Sequence, residues 1–167
     1  MRRARAIAAF LILWPAVAAG QTSIAAMRPA IAARFPEVRW VDSPTLRRWT
    51  RDPRPLVLLD ARQPAEVAVS RIAGATRIDP DHPDVAAVRP PENARVVVYC
   101  SVGWRSASVA DALRRHGVRE VYNLEGGIFA WANQGFEVVR DGSPVRAVHP
   151  YDETWGLMLA PELRAYR

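Results

Sequence analysis

The chain has 167 residues, half of them hydrophobic, which is enough for a normal core in one domain with extensions. Its single cysteine excludes an internal disulfide bond. The formal charge is +6, but no dense basic patch with interleaved aromatic residues is present, so no nucleic-acid partner is expected.

The first twenty residues have the pattern of an export signal. Three arginines precede an apolar stretch from Ala6 to Ala19, and small residues close it. The stretch is shorter than the roughly 20 residues that span a bilayer, and Pro15 interrupts it. We therefore expect residues 1–20 to be a cleaved signal peptide of an exported, periplasmic protein. An uncleaved membrane anchor is the alternative, and only then is membrane contact expected.

The segments after the signal alternate between predicted helices and strands. Residues 21–37 predict a short helix or a loose arm, and the main domain is predicted over 38–140. That domain begins with a short strand at 38–41 and a helix with Pro44 near its first position. The apolar run 56–61 is typical of a strand buried on both faces. A helix at 63–69, a short strand at 76–78 and a short helical piece at 84–88 follow.

The central feature is a β-branched strand at 95–99 that ends in Cys100. A loop with one glycine and a helix from near Arg105 to Arg115 come next. The carboxyl end of a buried parallel strand is where open α/β sheets place ligand crevices, and a helix N-terminus stabilises an anion such as a thiolate. A buried, inert cysteine is the alternative interpretation.

The remaining segments complete the fold prediction. A strand at 120–124, a Gly126-Gly127 turn and a helix at 128–134 extend the alternation. The sequence therefore predicts an α/β fold with a largely parallel central sheet and helices on both faces. The tail, residues 141–167, carries aromatic and aliphatic side chains that either pack on the domain or dock a partner protein.

Four ordered motifs resemble those of single-domain rhodanese-like sulfurtransferases, over about residues 38–140. Residues 100–105 (CSVGWR) resemble their active-site loop, and residues 58–66 (LLDARQPAE) resemble their Asp-x-Arg strand end and acidic helix. Residues 72–75 (IAGA) and 123–131 (NLEGGIFAW) resemble the next turn and the closing Gly-Gly-x-x-x-Trp element. One departure is Arg71, where the family usually has histidine; it affects the rim of the site rather than its core chemistry.

The resemblance implies a sulfurtransferase of the thiosulfate type with Cys100 as its nucleophile. The Cys100 thiolate would take a sulfane sulfur from thiosulfate or a persulfide donor and pass it to a thiol or cyanide-like acceptor. The loop would curl around Cys100 with its N–H groups pointing inward, which stabilises the thiolate and the persulfide anion. Arg105 would add a positive charge suited to an oxyanion such as thiosulfate. The substrate-binding residues would be Ser101, Val102, Gly103, Trp104 and Arg105. Trp104 would shape the entrance or be simply an exposed aromatic residue.

Three residues are expected in supporting positions: Asp60, Arg62 and Ser106. The first two end a neighbouring strand, either near the edge of the loop or as an ion pair that braces the turn. Glu66 is expected to face solvent or to brace Arg62. No Cys/His spacing supports a metal site, and the resemblance implies no cofactor.

Two other functions remain open. Phosphatases of this fold use a Cys-x5-Arg loop, whereas here the arginine, Arg105, falls one position earlier and Ser106 takes its place. The loop is thus one residue short for cradling a phosphoryl group. A non-catalytic module that binds sulfane sulfur or senses redox state, and docks a partner through its tail, is the stronger alternative.

Overall fold

The helices and strands come from a computed structural model that describes residues 23–167. The predicted export signal at 1–20 lies outside the described residues and stays a prediction. The helices are α1 (Ile24–Arg34), α2 (Ser43–Trp49), α3 (Pro64–Val69), α4 (Trp104–Arg115), α5 (Gly127–Asn133) and α6 (Glu153–Gly156), with a 3-10 turn at Pro161–Leu163. The strands are β1 (Arg39–Val41), β2 (Leu56–Asp60), β3 (Thr76–Arg77), β4 (Arg95–Tyr99), β5 (Val121–Leu124), β6 (Val138–Arg140) and β7 (Ser143–Val145).

Five strands form one parallel sheet in the order β1-β5-β4-β2-β3. The central strand β4 pairs with a neighbour on each side, and its residues Val96 to Tyr99 are fully buried. A run of β-branched residues suits this position, because both faces of such a strand are covered. The predicted α/β fold with a parallel sheet is confirmed.

The two faces of β4 contribute to two separate core clusters. Val97 and Tyr99 pack on the side that α2, α5 and the tail cover. Val96, Val98 and Cys100 pack on the side that α4 covers. The alternation of side chains along a strand therefore directs the cysteine toward the helix that follows it.

Two predicted elements differ in the structure. Residues 84–88 form a turn rather than a helical piece, since prolines on both sides leave too few residues to nucleate a helix. The segment after 136, for which no strand was predicted, forms an antiparallel hairpin of β6 and β7. Asp141 and Gly142 at its tip both have positive φ angles, 50° and 79°, as expected for an Asp-Gly hairpin turn.

The C-terminal tail packs on the same core as the parallel sheet. Val148, Leu159 and Leu163 are buried in the cluster beside α5. The Asn133 side chain holds the tail through two hydrogen bonds, donating to the Met158 carbonyl at 2.9 Å and accepting from the Ala160 N–H at 2.9 Å. Within residues 23–167, no helix has the length and apolarity needed to cross a membrane.

The start of α5 is pressed against the loop that follows Cys100. The N–H groups of Ile128 and Phe129 donate to the carbonyl oxygens of Cys100 and Ser101 at 2.8 and 3.1 Å. Gly127 has a φ angle of +55°, and a Cβ atom there would overlap both carbonyl groups. Only glycine satisfies the backbone conformation and the close approach together.

We expect Gly127→Ala to lower the free energy of unfolding by about 2–4 kcal/mol, because strain at positive φ and overpacking add. The matched control is Gly142→Ala, which also has a positive φ angle but nothing within 4 Å of the new methyl group. Gly142→Ala should lower the free energy of unfolding only by the cost of alanine at a positive φ angle, about 1–2 kcal/mol. Urea unfolding measures both, and equal losses would contradict the close contact.

Candidate active site

Cys100 lies at the carboxyl end of β4, with only 1% of its surface exposed. The Gly103 N–H donates to its Sγ atom at 3.2 Å, and the Ser106 hydroxyl oxygen lies 3.4 Å from the same sulfur. Gly103 has a φ angle of 106° and directly precedes α4. The glycine thus reverses the chain so that the start of α4 faces the thiol, a favourable place for a thiolate.

Asn123, in β5, fixes the far side of this turn. The Ser106 hydroxyl donates to Asn123 Oδ1 at 2.7 Å, and Asn123 Nδ2 donates to the Gly103 carbonyl at 2.8 Å. All three residues are buried. Sequence reasoning assigned no role to Asn123; a polar residue at the end of a buried strand, just before two glycines, was the available signal.

Glu66, in α3, is the main residue whose role the sequence analysis misjudged. It does not face solvent, since only 2% of its side chain is exposed, and its carboxylate binds Arg105 in bidentate fashion at 2.7 and 2.8 Å. Its contact with Arg62 is through the backbone carbonyl, which accepts from Nη1 at 3.5 Å. The Ser101 hydroxyl and the Gln63 N–H donate to the same carboxylate at 2.8 and 2.9 Å. The carboxylate therefore joins α3, the loop and α4.

The charges of this pair are mutually stabilised. Burial by itself would raise the pKa of Glu66, but the hydrogen bond and charge of Arg105 outweigh it and hold that pKa below its ordinary value of 4.5. Burial likewise opposes the Arg105 cation, yet Glu66 and the nearby Cys100 raise the pKa of Arg105. Arg105 thus remains a cation whose charge is already matched, and not the free oxyanion-binding charge that the sequence suggested.

Asp60 and Arg62 form the ion pair that the bracing alternative expected. They form a fully buried ion pair, with Nη2 to Oδ2 at 2.6 Å. The Tyr99 hydroxyl donates to Asp60 at 2.7 Å, and Arg62 also donates to the Ser70 carbonyl at 2.7 Å. These partners lie in β4 and at the end of α3, so the pair positions β2 relative to both elements.

A small pocket of about 170 Å³ opens over Cys100. Four loop residues expected at the site line it: Ser101, Val102, Trp104 and Arg105. Trp104 stands at the rim with 43% of its surface exposed. The tail supplies two further aromatic side chains, Tyr151 and Trp155, and the Arg105 guanidinium lies 4.9 Å from the centre of the Tyr151 ring. Sequence reasoning missed both, because the tail lies outside the four motifs.

A larger depression, about 720 Å³, lies around residues 88–94 and 116–120. Those residues flank the beginnings of β4 and β5, at the opposite end of the sheet from Cys100. It contains no thiol and none of the residues described above. The small pocket is therefore the candidate active site.

Comparison with known proteins identifies the family of the domain that contains Cys100. The family model described as "Rhodanese-like domain" matches residues 44–134. A sulfurtransferase of Allochromatium vinosum is 34% identical over 102 residues, which cover 61% of this chain and 95% of that protein. A tRNA uridine(34) hydroxylase of Bordetella parapertussis is 35% identical over 142 residues, 80% of this chain but only 58% of that protein.

A solved structure shares the fold. A rhodanese-related protein from Thermoplasma volcanium superposes with a TM-score of 0.52 at 25% identity, covering 60% of this chain and 97% of that one. The family match ends at residue 134, before the tail at 141–167. Tyr151 and Trp155 lie beyond that boundary.

Replacing Glu66 by Gln should lower the free energy of unfolding by about 2 kcal/mol at neutral pH, the contribution of hydrogen bonds to a charged group. The pKa of Glu66 is lower in the folded protein than its ordinary value of 4.5, so the unfolded state binds the proton more tightly. The stabilisation is therefore present above pH 4.5 and is lost as the pH falls through the folded-state pKa.

Urea unfolding of both proteins between neutral pH and about pH 3 tests this linkage. The difference in unfolding free energy between wild type and Glu66→Gln should become smaller in acid. Glu37→Gln, at an exposed position, is the matched control and should change stability little at either pH. A gap for Glu66→Gln that stays constant with pH would contradict the ion pair.

Proposed function

The chain belongs to the family of rhodanese-like domains, and we propose that it is a sulfurtransferase that carries the transferred sulfur as a persulfide on Cys100. The family match and the Allochromatium vinosum relative support sulfur transfer as the general chemistry. The observation that carries the finer proposal is the position of the Cys100 sulfur, beneath an open pocket with the Gly103 N–H donating to it.

The reaction consists of two exchanges at sulfur. In the first, the Cys100 thiolate attacks the outer sulfur of the donor; a new S–S bond forms and the donor S–S bond breaks. From thiosulfate the leaving group would be sulfite, and from a persulfide R–S–SH it would be the thiolate R–S⁻. In the second, the acceptor attacks the outer sulfur and Cys100 returns as a thiolate. No external oxidant is needed, because the sulfane sulfur keeps its oxidation state.

The residues around Cys100 suit the anions of both steps. The Gly103 N–H contacts the sulfur directly, and the start of α4 contributes a positive electrostatic field. The Ser106 hydroxyl has a single proton, which it donates to Asn123 or turns toward the sulfur, 3.4 Å away. This gives the enzyme an adjustable donor for the developing charge.

The geometry of Arg105 argues against phosphoryl transfer. Both terminal nitrogens of its guanidinium donate to Glu66. A phosphate-binding loop needs an arginine whose parallel N–H groups are free to bind the substrate oxygens. The hydroxylase activity in the name of the Bordetella parapertussis relative belongs to a longer protein, of which this chain spans about half, and it is not part of the proposal.

We expect Cys100→Ser to abolish sulfur transfer to cyanide with either thiosulfate or cysteine persulfide as donor, because a serine hydroxyl does not form a persulfide. Mass spectrometry should show that wild type gains one sulfur atom and loses it to the acceptor, while the variant gains none. Circular dichroism checks that the variant is folded.

Wild-type activity in Cys100→Ser would refute the persulfide mechanism. A persulfide that forms on Cys100 but that no acceptor discharges would instead support the binding or sensing module. If the protein gained no sulfur from any donor, both the sulfurtransferase and the sulfur-binding module would be refuted.

Ser106→Ala should lower the rate constant of sulfur transfer by about tenfold, the effect of losing one hydrogen bond to a charged group. Ser108→Ala is the matched control, since it makes the same change on the exposed side of the same helix and should leave the rate unchanged. Steady-state transfer to cyanide measures both. Equal rates in the two variants would show that the Ser106 hydroxyl does not assist the sulfur.

A further inference from the structure

The outer wall of the Cys100 pocket comes from the C-terminal tail. Tyr151 and Trp155 line the pocket together with Cys100 and four residues of the loop and the start of α4. Both lie beyond residue 134, where the family match ends. The wall is therefore a feature of this chain that membership of the family does not explain.

Local hydrogen bonds hold this wall in place. The Tyr151 N–H donates to His149 Nδ1 at 3.0 Å, and Asp152 caps the short helix α6 by accepting from the Trp155 N–H at 2.8 Å. Tyr151 has a φ angle of 70°, which aromatic residues rarely adopt. Trp155 packs against the same core cluster as α5. The tail thus presents two ordered aromatic side chains to the pocket.

The described residues that line the pocket provide no unmatched positive charge for a doubly charged anion such as thiosulfate. Arg105 is the one cationic side chain among the described residues that line it, and Glu66 already matches its charge. His149 is not among the residues that line the pocket, and burial lowers its pKa, which favours the uncharged imidazole. A thiosulfate dianion would lose its hydration without gaining a free cation, which is unfavourable.

A carbon-bearing substrate fits the same surroundings better. Aromatic side chains stabilise apolar groups that leave water beside them. The volume of about 170 Å³ is below the range usual for drug-sized ligands, so the pocket admits a short organic group or the sulfur-bearing end of a longer molecule.

We propose that Tyr151 and Trp155 make the Cys100 pocket selective for low-molecular-weight organic persulfides over thiosulfate. The inference rests on the proposed function. The Cys100 thiolate attacks the outer sulfur of R–S–SH, the new S–S bond forms on Cys100, and the inner sulfur leaves as R–S⁻ while R rests against the two rings. Atoms and charge balance, and no oxidant or reductant is consumed.

The test compares kcat/KM for two donors, cysteine persulfide and thiosulfate, with cyanide as the acceptor. Wild type should prefer cysteine persulfide. Tyr151→Ala and Trp155→Ala should each reduce the ratio of the two constants by about tenfold, as expected for lost apolar contact in a small pocket. The change should come from a higher KM for cysteine persulfide, with thiosulfate turnover little altered.

Two controls separate selectivity from damage to the fold. Tyr151→Phe keeps the aromatic ring and should keep the wild-type ratio. Leu157→Ala alters an exposed side chain of the same tail, 74% exposed and outside the pocket, and should also keep it. Trp155→Leu, which preserves an apolar side chain in the core, gives a second folded variant if Trp155→Ala unfolds, and should lower the ratio as well.

An unchanged ratio in Tyr151→Ala and in the Trp155 variants would overturn the inference, as would a wild-type preference for thiosulfate. Either result leaves sulfur transfer through Cys100 standing. A wild-type protein that takes sulfur from neither donor would instead refute the proposed function, and the selectivity with it.

Discussion

The buried carboxylate of Glu66 connects the parts of the molecule that form the active site. It accepts hydrogen bonds from Gln63 at the start of α3, from Ser101 in the loop and from both terminal nitrogens of Arg105 in α4. Arg105 in turn lies against the ring of Tyr151 in the tail. The loop, two helices and the tail therefore meet around one negative charge.

Such a charge is costly to bury, and the arrangement shows how the cost is offset. Each carboxylate oxygen receives two of the four hydrogen bonds, and the attraction to Arg105 outweighs the loss of hydration. A buried ion pair adds little net stability compared with an apolar contact, but its fixed geometry defines one arrangement of its partners. Here that geometry directs Arg105 away from the role of a free anion receptor.

The sulfur chemistry proposed for Cys100 depends on the groups that this arrangement leaves around its thiol. The thiol keeps the Gly103 N–H and the start of α4, which favour a thiolate or persulfide anion. The matched Arg105 and the rings of Tyr151 and Trp155 form surroundings of low net charge. A site with these properties stabilises charge on the enzyme's own sulfur more readily than charge on a polyanionic donor, which connects the proposed persulfide to the proposed organic substrate.

Local patterns in the sequence were sufficient to predict the sheet, its direction and the position of Cys100 at the end of a buried strand. A run of β-branched valines favours a strand that is buried on both faces, and a glycine three residues after Cys100 permits the turn toward α4. These features depend on neighbours in sequence, so composition and periodicity carry them. The Asp141-Gly142 hairpin also has a local signal, since an Asp-Gly pair is typical of tight hairpin turns.

The partners of the active-site residues were decided only by the tertiary structure. Glu66 and Arg105 are 39 positions apart, and Ser106 and Asn123 are 17 apart. An acidic residue in the first turn of α3 has a sufficient local explanation as a cap, which hid its second role. Tyr151 and Trp155 reach the pocket because the tail packs on the core. Sequence determined where the thiol stands; only the packing of distant segments determined which charges and rings surround it.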